Sequence, residues 1–227
     1  MSDPTPWAEV AELLGGATVE TLYMVLVATV LAVLGGLPLG VFLHLSSPVG
    51  LNPRPTLHRI LGVVVDVVRS VPFVVLLVVL ASFTRLLVGT SIGSTAVIVP
   101  LVVGAVPFFA RLTQNALREV SFTVVEAAIT TGSSRWRIVW TVLLGEARAA
   151  LVGAVGVTAV ALIGYAAMAG AIGGGGLGTT AIQDGYQAYD ERVLYGSVAV
   201  LAVLAFAMQL LTDITAKAVD RRRSATG

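Results

Sequence analysis

Few residues in this chain have the type and spacing that covalent chemistry needs. Its 227 residues include no cysteine, which excludes disulfides, thiolate metal sites and thiol nucleophiles. His44 and His58 are not at ligand spacing with any acidic cluster; the expectation is one packed residue and one surface-loop residue. Gly173-Gly174-Gly175-Gly176-Leu177-Gly178-Thr179-Thr180 has the outline of a phosphate loop, but Thr179 stands where a lysine belongs and no strand pattern precedes it. A tight turn using unusual glycine φ values is the better reading. Asp66 and Arg69, three apart, share a helix face and can pair, as can Asp213 and Lys217, four apart. Arg111 closes an apolar run and should snorkel toward a polar boundary. None of these forms a catalytic constellation, so the expectation is a non-enzyme with no cofactor or metal.

A different pattern carries the information. Glu126-Ala127-Ala128 is followed by three residues, Gly132, nine residues, and Val142-Leu143-Leu144-Gly145. Residues 126–131 are small and helix-compatible, and Gly132 offers a positive-φ stop without a Cβ penalty. Ser133 and Ser134 are good N-cap residues for a second helix that carries Arg135, Trp136 and Arg137. Such a compact turn lets a partner's backbone approach closely. The plain alternative is a polar loop joining two membrane helices. The pattern resembles the EAA segment of ABC-importer permeases: E-A-A, three residues, Gly, nine residues, Ile, any, Leu, Pro. In that family the segment is a cytoplasmic helix-turn-helix that docks into a groove on a separate ATPase subunit. The resemblance implies an ATPase-coupling role for Glu126, Ala127, Ala128, Gly132, Arg135 and Trp136. Gly145, where the family has proline, is the clearest departure and bears on the bend at the segment's end.

Hydropathy supplies the setting. Hydrophobic residues make up 56% of the chain and charged residues 12%, well outside soluble-globular usage. Apolar runs at 18–45, 60–88, 94–110, 149–169 and 193–214 predict five membrane helices; the period-2 alternation of a β-barrel is absent. The second run is long, and Pro72 should kink or restart it. Pro38, Pro100 and Pro107 predict kinks within other spans, while Gly153, Gly156, Gly164 and Gly170 predict close helix packing. Residues 1–17 form an acidic segment, either a short amphipathic piece at the interface or a frayed end, and 217–227 a basic tail. Arg54, Arg59, Arg118, Arg135, Arg137 and Arg148 lie on one side with Lys217, Arg221, Arg222 and Arg223. The other side holds only Arg85 and Arg192, with Asp3, Glu9, Glu12, Glu20, Asp184, Asp190 and Glu191 around them. By the positive-inside rule the amino terminus is outside and the carboxyl terminus cytoplasmic, which places 126–145 in the cytoplasm. No basic face with interleaved aromatics suggests nucleic acid.

Resemblance to one branch of the permease family extends over nearly the whole chain. Residues 83–93 (F-T-R-L-L-V-G-T-S-I-G), 98–101, 107–111 and 164–171 look like the permeases of D,L-methionine ABC importers, and 69–73 (R-S-V-P-F) like those of amino-acid importers. What this implies is an all-α type I permease domain over 18–216 that forms a homodimer in lipid. It also implies two copies of a cytoplasmic ATPase and an extracytoplasmic methionine-binding protein. Met168, with Tyr165, falls where the family's pathway closes, and a flexible thioether suits an apolar gate; a core methionine at a helix contact is the alternative. Other functions would leave other marks. A secondary carrier needs an inverted repeat, and an ion channel needs a filter ring. A non-transporting assembly subunit would tolerate changes at Glu126 and Gly132. Within the family, the alternative is a permease for another amino acid or small nutrient.

Overall fold

The computed structural model describes residues 5–220, so Asp3 and the basic residues 221–223 lie outside it. All regular structure among the described residues is helical. Helix α1 (Trp7–Ser46) is followed by α2 (Pro55–Ser70), α3 (Phe73–Val79), α4 (Ala81–Val88) and α5 (Ser94–Arg118). The connection that follows holds α6 (Phe122–Thr130) and the single turn α7 (Arg135–Arg137). A π-helical stretch (Ile138–Leu143) then leads without a break into α8 (Leu144–Ala169). The short α9 (Gly176–Thr179) and a second π-helical stretch (Thr180–Gln187) precede α10 (Glu191–Val219). Among the described residues four helical stretches are long and apolar enough to cross a membrane, and the bent α2–α3 pair is either a fifth, broken span or a re-entrant loop. The chain is a multi-pass membrane protein.

Two spans differ from the hydropathy reading. Among the described residues the first helix starts at Trp7, so residues 7–17 of the acidic segment are not a separate piece but the first turns of a 40-residue helix. Its end is tied down. Thr5 N–H and Oγ1–H both donate to Asp190 Oδ2, the Arg192 guanidinium donates to Thr5 O at 3.1 Å, and Arg192 lies 5.1 Å over the Trp7 ring. The second span is not one kinked rod: α2 and α3 meet at 99°. Pro72 has no N–H for the helical ladder, so α2 ends at Ser70; the Pro72 carbonyl then accepts from Val75 and Leu76 and starts α3. Pro38, Pro100 and Pro107, by contrast, sit inside helices that run through them.

The core lies where α1, α3, α5 and α8 meet. Met24, Val25, Ala28 and Ala32 pack with Leu76 and Leu77, with Ile98, Leu101 and Ala105, and with Leu162, Ile163 and Ala166. In lipid, helix association rests on close packing, so small residues set the crossings. A Cβ on Gly40 would fall 2.5 Å from the Ala110 carbonyl oxygen of α5, and one on Gly156 would fall 2.2 Å from Thr212 of α10. Gly170 abuts the Gly178 backbone in the same way. Gly153 and Gly164 do not follow suit: the space beside each is open within the chain.

Candidate functional site

The segment 122–145 is built as its residues require. Gly132 has φ +75°, its N–H reaches Ile129 O at 2.9 Å, and the Ser133 N–H reaches Ala128 O at 3.1 Å. This crossed pair of hydrogen bonds around a left-handed glycine is a Schellman stop, which satisfies the last carbonyls of α6. Ser134, rather than Ser133, caps the next turn: its Oγ accepts from the Arg137 N–H at 3.4 Å. Val125, Ile138, Val139 and Leu143 form the buried underside, packed on Ala116, Leu117 and Val120 at the end of α5 and on half-buried Val41 and Leu45 of α1.

The opposite side is left open. Glu126, Ala127, Gly132, Arg135 and Trp136 are exposed, with Ala128 half-buried between the two sides. Glu126 has no ion pair or hydrogen-bonding side-chain partner among the described residues. Trp136 is 71% exposed and meets Trp140 edge to face, ring centroids 5.5 Å apart, with Phe122 70% exposed beside the start of α6. Three exposed aromatics thus lie together on this segment. Trp140 and Phe122 went unremarked in the sequence; the i, i+4 spacing of the tryptophans was the available signal. Gly145 lies within the rod from the second turn into α8, with open space around its Cβ position, and the helix passes through it unbroken. The π-helical stretch before it takes up the local change in winding.

At the other end of the same rod stand the candidate gate residues. Tyr165 stacks on Phe73 of α3, with centroids 4.6 Å and planes 13° apart. Met168 is 49% exposed, one turn beyond the open Gly164, so it is not a core residue within this chain. The glycine run forms the expected turn, with positive φ at Gly173, Gly175 and Gly176, and then does more. It folds back onto α1: the Gly176 N–H donates to Glu20 Oε2 at 2.7 Å and the Leu177 N–H to Thr21 Oγ1 at 2.9 Å, with Leu177 fully buried. Glu20, the lone carboxylate of the 18–45 run, was legible only as an outer charge.

Other single residues are corrected by the geometry. Arg111 does not snorkel. It bridges α5 to α2, donating to Asp66 Oδ1 at 2.6 Å, Gln114 Oε1 at 2.6 Å and Gly62 O at 3.3 Å. Asp66 and Arg69 pair as expected, though loosely, at 3.7 Å. His58 is half-buried on α2, not in a loop, and its Nδ1 lies 3.0 Å from Leu43 O, tying α2 to the end of α1. Asp213 accepts from Gln209 at 2.9 Å in place of Lys217.

A multi-span helical bundle with a Schellman-stopped, outward-facing turn between α5 and α8 has the form of a membrane transport subunit. The family model for "binding-protein-dependent transport system inner membrane component" matches residues 36–225, and the chain belongs to that family. It is an ABC-importer permease subunit of the type I fold. The probable D-methionine transport system permease protein MetI of Vibrio cholerae is 46% identical over 212 residues, 93% of this chain and 94% of that one. The methionine import system permease protein MetP of Bacillus subtilis is 40% identical, covering 92% and 94%. Among solved structures, a chain from the inward-facing MetNI methionine ABC transporter superposes with a TM-score of 0.92 at 40% identity, covering 96% of this chain and all of that one. An amino acid ABC transporter with histidines, at 20% identity and a TM-score of 0.72, shares the fold.

Proposed function

We propose that this chain is the permease subunit of an ATP-driven methionine importer. The observation that carries the proposal is the 40–46% identity, over more than nine-tenths of the chain, to permeases named for methionine transport. In this reading, two copies of the chain form the pathway. Each engages a cytoplasmic ATPase through Glu126, Ala127, Ala128, Gly132, Arg135 and Trp136, with Phe122 and Trp140 added to that surface. Met168 and Tyr165 border the closing point of the pathway. An extracytoplasmic binding protein delivers the cargo to the side that carries the amino terminus. The permease domain is 18–216, flanked by the outer segment 1–17 and the cytoplasmic tail 217–227.

Vesicles holding the permease with its ATPase test this directly. Methionine uptake should require both ATP and the binding protein, and cells without the gene should lose high-affinity methionine uptake. Uptake that survives ATP depletion but stops with an ionophore would contradict the mechanism. ATP-driven uptake of another amino acid in place of methionine would overturn the cargo alone.

A further inference from the structure

Both ion pairs found among the described residues converge on one oxygen. Asp66 Oδ1 receives the Arg111 guanidinium at 2.6 Å and the Arg69 guanidinium at 3.7 Å. Two cations therefore share one carboxylate, on the exposed part of α2 shortly before it breaks away from α3. Arg111 is spent: its side chain is 18% exposed and holds three acceptors. Arg69 is not. It donates no hydrogen bond within the described residues, and its only other support is the Phe108 ring, 5.7 Å from its Cζ. Asp66 Oδ2 likewise has no partner, and Asp66 is 57% exposed. Beneath the cluster, fully buried Gln114 gives its Oε1 to Arg111 and leaves its Nε2 donor without an acceptor.

A guanidinium with no hydrogen-bond acceptor of its own is open to a visiting anion, and an arginine fork on an aromatic face is suited to a carboxylate. The free Asp66 oxygen offers the complementary site for an ammonium. The apolar surroundings are Phe108 and, three residues past Ser70, the Phe73–Tyr165 stack. The geometry points to a cargo way-station: Arg69 binds the α-carboxylate and Asp66 the α-ammonium of an amino acid with an apolar side chain, on the inner side of the Tyr165–Met168 level. This rests on the importer reading and adds to it the residues that recognise the zwitterion.

The chain has no native cysteine, so Ser70→Cys, one residue from Arg69 and exposed, gives a clean reporter in the permease–ATPase complex in inside-out vesicles. Methionine should protect it from a thiol reagent, while methioninamide, which lacks the carboxylate, should need at least tenfold higher concentration. Adding Arg69→Gln should raise the methionine requirement at least tenfold, with Arg69→Lys falling between. Ser134→Cys, on the coupling segment, should be indifferent to methionine. The amide comparison stands even if Arg69→Gln disturbs folding. Equal protection by methionine and its amide, or protection unchanged by Arg69→Gln, overturns the proposal. So does the absence of protection by every one of the twenty amino acids. Protection by a different amino acid with the same Arg69 dependence upholds the site and overturns methionine as cargo.

Discussion

At the scale of single residues, Gly132 shows how backbone geometry and space make separate demands. Its φ of +75° strains any β-branched side chain, yet nothing lies within 4 Å of where a Cβ would sit. A penalty of about 1–3 kcal/mol for the left-handed conformation is expected for Gly132→Val. ATP-driven uptake should fall roughly tenfold or more while membrane insertion persists. Gly132→Asn, which tolerates that conformation and meets no neighbour, should keep most activity. Normal uptake by the valine variant would remove the turn from the coupling surface. Asp190 makes a pH-dependent prediction. Hydrogen bonds from the Thr5 side chain, then from backbone N–H groups of Thr5, Val193 and Arg192, hold its carboxyl below the ordinary range. A depressed folded-state pKa stabilises the clasp above the unfolded value, and the contribution is lost as pH falls through the folded one. The protection factor of amides at the start of α1 should therefore stay high at neutral and mildly acidic pH and drop only at strongly acid pH, whereas Asp190→Asn should lower it at neutral pH. Glycine and serine chemistry made the Gly132 turn readable in advance. The Asp190 clasp was not, because it joins residues 185 positions apart.

Elements were legible to the extent that their causes are local. Apolar runs place the spans because any stretch crossing hydrocarbon must satisfy its own backbone, and Pro72 marks a break for want of an N–H. The 99° direction of that break is another matter. It is held by Arg111 of α5 reaching Asp66 and Gly62 of α2, a contact across 45 and 49 positions that no hydropathy profile contains. For the same reason Arg111 reads as a boundary residue in sequence and as a strut in space. Glycine packing divides similarly: composition announces close approach, but only the crossing says which glycines make it. Gly40→Ala would drive a methyl against the Ala110 carbonyl oxygen, backbone that cannot yield, and should destabilise the α1–α5 crossing by about 1–3 kcal/mol. Gly15→Ala, on the open face of the same helix, should be neutral or stabilising by up to about 1 kcal/mol. Thermal melts of the two variants in detergent should separate clearly, and equal melting temperatures would argue against the crossing as described.

For the whole molecule, the segregation of charge predicts orientation. With Ser134→Cys, an impermeant thiol reagent should fail to label intact cells; with Asp184→Cys it should succeed. The reverse pattern would invert the topology and put the docking segment on the wrong side for an ATPase. One feature of the architecture then acquires mechanical meaning. From Arg135 to Ile172 the chain is a single helical span of 38 residues, about 57 Å at 1.5 Å per residue. Trp136 and Met168 sit toward its two ends; as a rigid lever it would turn about the packed stretch around Ala159 and Leu162, about 24 residues from Trp136 and about 8 from Met168. Tilting such a beam by about 5° would swing the Trp136 end by roughly 3 Å and the Met168 end by roughly 1 Å in opposite senses, on that same rise per residue. A shove delivered at Trp136 would then arrive at Met168 as a smaller, opposite swing, with no signal to relay through side chains in between. The π-helical stretch at Ile138–Leu143, next to the handle, is where slack in that lever would be found.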